Sequence, residues 1–332
     1  MSCNIQHGRD SIIGFFESSL TTEVSSTGPA EFLFVDSFSF KREAPQEDID
    51  ELIQDRAPRR SVEGDVTCNG SFTRSIDTIN GLGLYEYLVT GSLTTASPGS
   101  GTFLHTFYEG DDVLSCTRLQ FMTSRGAAST TSRNWCNGVI DSYSLDVAAG
   151  SVPKETWNLR FSEQGAALNT SPTLALSFET PIQYNKAIFK AGATITVVST
   201  LATKDFSLSF ANNVEENREL GTNTVMNFTN GKREITGNFN VIYEGDDALY
   251  NAFMSKTALA LEIELQSVLA TSGTNHYIKF KLPEVIFTGE TAEPNGLGQM
   301  IQPIAFKAYY GSNAAYHVRV EALNSTAAVT IN

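Results

Sequence analysis

The sequence predicts a mainly β chain built from one β module present twice, with one short flanking α-helix in each copy. Three observations lead there. Phe (21) and Tyr (11) are abundant and Ser and Thr frequent, a composition that suits strands. Short runs alternate apolar and polar residues with the period of two expected of half-buried strands. The same ordered set of runs recurs in the two halves of the 332 residues.

Residues 1 to about 30 carry little pattern, although Ile12, Ile13, Phe15 and Phe16 are suited to docking on a body, and TTEVSSTGPAE reads as loop. Phe32, Phe34, Phe38 and Phe40 share a strand face, with a break near Asp36. Lys41 to Asp65 has no sustained alternation. EDIDELI fits one helical turn, and acidic residues (Glu43, Glu47, Asp48, Asp50, Glu51, Asp55) precede basic ones (Arg56, Arg59, Arg60). A loop this long is either solvated or an arm that orders on a partner through its charges. Val66, Cys68, Gly70 and Phe72 alternate as a strand. In Thr78 to Gly91 an i, i+3, i+4 stripe of Leu84, Tyr87 and Leu88 predicts a helix stopped by Gly91. LTTASPGSG then turns, Phe103, His105 and Phe107 form a strand, Leu119 and Phe121 another, and SRGAASTTSRN a loop. Val139 to Val147 is a strand, Trp157, Leu159 and Phe161 the last of this half, and residues 163 to 174 a linker.

SFETPIQYNKAIFKAGATITVV opens the second half. Phe206, Leu208 and Phe210 mark a strand, and NNVEENRELGTNTVMNFTN a loop. Gly231 to Gln266 is the most strongly patterned stretch. A strand from Glu234 to Tyr243 turns Ile235, Gly237, Phe239 and Val241 inward. Asp246 and Asp247 suit the start of a helix that carries Leu249, Ala252 and Phe253 on one stripe and ends at Thr257. In the next strand Leu259, Leu261, Ile263 and Leu265 point one way and Ala260, Glu262, Glu264 and Gln266 the other. Ile278, Phe280 and Leu282 follow, with pairing interrupted at Pro283. GETAEPNGLGQM turns, Ile304, Phe306 and Ala308 form a strand, and Tyr316, Val318 and Val320 the last.

The repeat places Phe38–Phe40 opposite Phe206–Phe210, Gly70–Phe72 opposite Gly237–Phe239 and Leu84–Leu88 opposite Leu249–Phe253, nearly in register. It divides the chain into modules 1–170 and 171–332. Two similar modules present similar sheet edges, which pair with neighbours unless protected, and two-module chains close rings with an even number of modules.

The net charge of −14 argues against a grip on nucleic acid, which needs concentrated Lys and Arg. It allows a surface past which DNA slides. Cys3, Cys68, Cys116 and Cys136 form no CxxC pair and match no zinc framework. No basic segment followed by an apolar run marks a signal peptide, and no run of about 18 apolar residues marks a membrane span. The motif YEGDD occurs at Tyr108–Asp112 and Tyr243–Asp247, but at different places in the two halves. Turn formation and helix capping account for it better than calcium binding or a glycosidase carboxylate pair. His7, His105, His276 and His317 are scattered. No catalytic, metal-binding or cofactor-binding constellation emerges, which argues against an enzyme.

Three stretches then carry a family resemblance: Arg233 to Phe253, Phe287–Thr288–Gly289–Glu290–Thr291, and Gly298 to Ala308. They resemble tail tube proteins of long-tailed bacteriophages, in a duplicated-module form, as do Arg59 to Asp65, Gly83 to Leu88 and His105–Thr106–Phe107 in the first half. The resemblance covers nearly the whole chain and rests on order and spacing. It implies two tandem tail-tube-type β-sandwich modules whose sheets join into rings, and rings that stack into a tube conducting DNA. It also implies assembly in the host cytoplasm, location in the virion tail, and tape-measure, tail-tip and tail-terminator partners. Two modules per chain make a trimeric ring a pseudo-hexamer. The family's inter-ring loop matches Lys41 to Asp65, so Glu47, Asp48, Asp50, Glu51, Asp55, Arg56, Arg59 and Arg60 are candidate inter-ring contacts. Glu262 and Glu264 are candidates for the lumen or an interface. The alternative is a tail-tip or carbohydrate-binding β-sandwich using Trp135, Trp157 and tyrosines, although both tryptophans suit a core better.

Overall fold

The computed structural model describes residues 11–19, 31–48, 61–99, 101–110, 117–125, 132–168, 180–242, 248–290, 300–312, 314–327 and 329. The strands of the first half are β1 Ser11–Ser19, β2 Glu31–Leu33, β3 Ser37–Glu43, β4 Gln46–Asp48, β5 Ser61–Glu63, β6 Thr67–Ser75, β7 Ser92–Gly99, β8 Thr102–Tyr108, β9 Thr117–Arg125, β10 Ser132–Ala148, β11 Lys154–Phe161 and β12 Glu163–Leu168. Those of the second are β13 Ala187–Thr194, β14 Val197–Thr200, β15 Thr203–Ala211, β16 Glu215–Asn217, β17 Asn227–Thr229, β18 Glu234–Ile242, β19 Leu259–Thr271, β20 Thr274–Glu290, β21 Ile301–Tyr309 and β22 Arg319–Asn324. Helix α1 spans Gly83–Val89 and α2 spans Ala248–Ser255.

All ladders are antiparallel, and two sets of them follow the same order. In the first half β3 pairs β6, β6 pairs β11 and β11 pairs β10. Then β10 passes to β9, β1 and β2, and takes β12 on its other side. In the second, β15 pairs β18, β18 pairs β21 and β21 pairs β20. Then β20 passes to β19, β13 and β14, and takes β22. β10 and β20 have 17 residues each and serve both layers of a sandwich. Each carries a register break at a matching place, between Ile140 and Ser142 and between Phe287 and Gly289.

Ring contacts join the layers. Phe121 of β9 meets Phe40 of β3 at 5.8 Å and Phe72 of β6 at 6.0 Å, and Phe189 of β13 meets Phe239 of β18 at 4.6 Å. Each such pair adds about 0.5–1.5 kcal/mol beyond burial. Gly70 and Gly237 sit where a Cβ would lie 2.7 Å from the Phe40 ring and 2.5 Å from the Phe306 ring, so both strands carry glycine to admit an aromatic side chain. The halves join twice. β10 pairs β15 from Ser142↔Ala211 to Ala148↔Asp205, which makes β3–β6–β11–β10–β15–β18–β21–β20 one layer, and β22 pairs β8. Phe280 of β20 touches Tyr85 and Tyr143 of the first half, so one core crosses the junction.

A buried ion pair holds α1 in place. Arg74 of β6 bonds Glu155 of β11, and the Arg74 Nη1 donates to the Asn80 carbonyl at 2.8 Å. The Tyr85 hydroxyl of α1 donates to Glu155 Oε2 at 2.8 Å. Burial alone would favour a neutral Arg74, but Glu155 and Asp77 outweigh it and hold the guanidinium charged. Burial, then Glu155, pushes the Tyr85 phenol well up, which keeps it a donor.

Several expectations are corrected. LTTASPGSG lies in strand β7 as far as Gly99, an edge strand that tolerates Pro98 because among the described residues it pairs on one side only. The expected linker begins as strand β12, where Gly165 packs close to Cys136 and no apolar alternation is needed. β10 begins at Ser132, inside the expected loop SRGAASTTSRN. Lys41 to Asp65 is not wholly irregular, because Glu47 and Asp48 lie in β4, paired with β5. NNVEENRELGTNTVMNFTN likewise holds the β16–β17 hairpin. Residues 11–19, read as poorly patterned, form β1 with Ile13 and Phe15 buried. Tyr316 and Val318 precede the final strand, which starts at Arg319. α1 closes on Thr90 in the left-handed region. Gly91 is needed for a different reason, since a Cβ there would strike the Tyr108 carbonyl. Asp246 and Asp247 lie outside the described residues.

Glu155→Leu is expected to strand the Arg74 charge in the core and lower stability by about 3–5 kcal/mol, measured as a shift of the urea midpoint.

Candidate functional site

The long layer has two unlike faces. Inward lie Phe72, Trp157, Tyr143, Leu208, Phe239 and Ile304, all essentially buried. Outward, the register sets short polar side chains in rows across the strands. One row runs Ser37, Thr73, Thr156, Ser144, Ser209, Thr236, Lys307. Another runs Ser39, Ser71, Asn158, Ser142, Ala211, Glu234. Neighbours in the rows bond each other: Thr73 and Thr156 hydroxyls lie 3.0 Å apart, and Asn158 Nδ2 donates to Ser142 Oγ at 2.9 Å. The charges on this face come in both signs, with Lys41, Lys154, Arg160 and Lys307 against Glu43, Asp146, Asp205 and Glu234. Period-two alternation predicted strands with a wet face. That the wet faces align into one surface depends on the β10–β15 junction.

Glu262 and Glu264 lie elsewhere, on β19 in the other layer, on the strand face opposite Leu261, Ile263 and Leu265. Both residues are buried, at 6 % and 7 % exposure. Lys190 of β13 donates to Glu262 Oε1 and to Glu264 Oε2, each at 2.8 Å, and Lys279 of β20 lies 3.5 and 3.4 Å from the same atoms. Lys281 bonds Glu321 of β22 at 2.6 Å. The cross-strand lysines lie over the carboxylates and exclude water. Burial alone would raise the Glu264 pKa, but hydrogen bonds from Gln266 and Lys190 and the charge of Lys279 outweigh it and hold the carboxyl below its usual range. Burial would lower Lys190, and its bonds to Glu262 and Glu264 raise it instead. Burial, then Glu321, Glu264 and Glu262, pushes the Tyr277 phenol up to about 12. The patch is charge-balanced and not acidic.

A second polar cluster spans the two halves. Arg233, just before β18, bonds Glu109 Oε1 at 2.6 Å, the Val89 carbonyl at 3.0 Å and Thr90 Oγ1 at 2.6 Å. Glu109 Oε2 accepts the backbone N–H groups of His317 and Val318. Asn212 Nδ2 donates to the Leu88 carbonyl at 3.2 Å, so residues of the second half satisfy the free carbonyls at the end of α1. Sequence reasoning placed Glu109 in a turn motif and missed this bridge, because its partners lie far along the chain.

Of the candidate contacts in the long loop, Glu47 and Asp48 fall in β4, while Asp50, Glu51, Asp55, Arg56, Arg59 and Arg60 lie outside the described residues. Trp135 and Trp157 are fully buried and packed against aromatic rings, so neither is available to stack on a sugar. His105 is buried and bonded to Thr95 and Asn324. Among the described residues no His, Cys, Asp and Glu group is arranged to hold a metal ion, and no helix is long and apolar enough to cross a membrane. Cys68 and Cys136 are buried free thiols. A cleft of about 410 Å³ beside Tyr184, Ile188 and Leu201 is mostly apolar.

A family model described as phage tail tube protein matches residues 8–308. No curated protein matches the chain.

Glu264 has a folded pKa below its unfolded value near ~4.3, so its contribution to stability is present above that value and lost as pH falls through the folded pKa. Lys190 is raised, so its contribution is present below about 10.4 and lost as pH rises through the folded pKa. Glu264→Gln is expected to cost about 1–3 kcal/mol at neutral pH and to shrink the loss of stability on acidification. Urea denaturation at neutral and acid pH checks this, and an unchanged acid limb counts against the pairing.

Proposed function

This chain belongs to the phage tail tube protein family, and on that premise we propose that it is the repeating subunit of a virion tail tube. In this reading it is structural and not an enzyme. It assembles into stacked rings whose bore conducts DNA into the host.

The observation that supports this most directly is the eight-strand layer. One of its faces is core, and the other is a surface of Ser, Thr and Asn rows. Among the described residues its outer strands, β3 and the end of β20, each pair on one side only. Unpaired edge N–H and C=O groups are the natural seats for another chain. The row-lined face suits a bore. Its hydroxyls and amides hold water, its charges are of both signs, and among the described residues no cationic stripe is present to hold phosphate. The net charge of −14 adds repulsion that keeps DNA from sticking. We therefore assign the bore to this face. Glu262 and Glu264, on the other layer, remain interface candidates.

The two matching sets of ladders support reading residues 1–170 and 171–332 as two modules, six of which close a ring of three chains. Residues between β4 and β5 are proposed to reach the next ring, and tape-measure, tail-tip and terminator proteins to meet the tube at its ends and in its bore. No structural observation favours the carbohydrate-binding alternative, whose tryptophans are in the core.

Cryo-microscopy of assembled tubes is expected to show three chains per ring with Ser144 and Ser209 facing the bore. Six chains per ring, or Glu262 facing the bore, would overturn the assignment. Deleting residues 49–60, between β4 and β5, is expected to leave a folded monomer that does not stack, and tubes of normal length from that variant would remove the loop from the proposal.

A further inference from the structure

The junction inside the chain can be compared with two edges that no strand occupies among the described residues. Opposite the register break, Ser142 of β10 pairs with Asn158 and, on its other side, with Ala211 of β15. Gly289 of β20 stands in the same place, paired with Ala305 just past its own break. Ala211 ends β15 as Glu43 ends β3: each strand pairs its inner neighbour, Ala211↔Glu234 and Glu43↔Thr67. Glu43 and Gly289 are thus the unpaired counterparts of a pair that already exists.

Three further differences follow the same line. Six of the seven residues of α1 are buried, beneath groups from the second half, whereas α2 has no buried residue and leaves Tyr250 and Met254 exposed. The β16–β17 hairpin lies on the first half: Phe228 is 2 % exposed in a cluster with Val139, Val214 and Val225. The β4–β5 hairpin is its counterpart. Each is closed by a glycine N–H bond, Gly64 to the Pro45 carbonyl and Gly231 to the Asn213 carbonyl, and each pairs a glutamate with an apolar residue, Glu47↔Val62 and Glu216↔Phe228. Yet Val62 is 54 % exposed. Under the second-half hairpin lie Val139 and its cross-strand neighbour Arg160, which bonds Glu216 at 3.4 Å. The matching pair in β20 and β21 is Ile286 and Lys307.

We infer that a second copy of this chain docks its first half on the second half of the first copy, in the register already used inside the chain. Its β3 edge pairs with β20, with Glu43 opposite Gly289. Its Val62 packs on Ile286, and its body covers α2. The occupant is a second copy because the vacant seat has the shape, register and charge sense of the one filled by this chain's own second half. The base of the long loop is therefore a lateral contact within a ring, and only residues beyond it are free to reach another ring. This rests on the ring reading above and supplies its residue-level interface.

Mixing Val62→Cys chains with Ile286→Cys chains, both in a Cys3→Ser/Cys116→Ser background, and oxidising the assembled material tests it. The expected result is a linked pair of chains in the mixture, at least tenfold above either variant alone on a non-reducing gel. A mixture no better linked than its components, in samples where microscopy shows rings or tubes, overturns the register and leaves the ring reading standing. Failure of the unsubstituted chain to form rings or tubes overturns both. If either cysteine variant does not assemble, Glu43→Cys mixed with Gly289→Cys, the residues set opposite each other across the same contact, gives the same readout, and absence of linkage there overturns the proposal.

Discussion

The seven residue pairs between the end of β10 and β15 are the contact on which the rest of the molecule depends. Backbone N–H and C=O groups removed from water must find partners, and these strands satisfy each other across the midpoint of the chain. That one ladder turns two four-strand layers into an eight-strand layer. It brings Phe280 against Tyr85 and Tyr143, and sets Asn212 and Arg233 over the end of α1. The core is shared because the sheet is shared.

Charges are few, at 18 % of residues, and the buried ones pair across ladders or between the halves. Arg74 and Glu155 hold α1 to the sheet from inside. Glu109 and Arg233 tie the halves at the rim of the junction. Lys190 and Lys279 neutralise Glu262 and Glu264 on the far side of the other layer. Buried pairs of this kind add little net stability over apolar substitutes, but removing one partner is costly. The outward face of the long layer is different, with hydroxyls and amides in rows and charges of both signs.

Alternation made much of the fold legible. β3, β6, β11, β15, β18 and β21 lie where period-two runs placed them, because each has one face in the core and one in water. β7, β12 and the two hairpins were not legible. Edge strands bury little side chain, so their pairing leaves no apolar signature, and Pro98 and Gly165 resemble loop chemistry when pairing is invisible. The candidate site was legible only in part. Glu262 and Glu264 were found as a polar face, but the lysines that cover them come from β13 and β20, and sequence periodicity carries no information about cross-strand neighbours.

By itself the sequence determined the β class, the two short helices, the acidic balance and the kinship with tail tube proteins, since these follow from local alternation, composition and the order of runs. Only the tertiary structure decided which wet faces join into one surface, which edges stay unpaired and why α1 is buried while α2 is not. Those depend on register between strands up to half a chain apart. A one-residue slip, invisible in either strand's own sequence, would turn every row of hydroxyls to the other face.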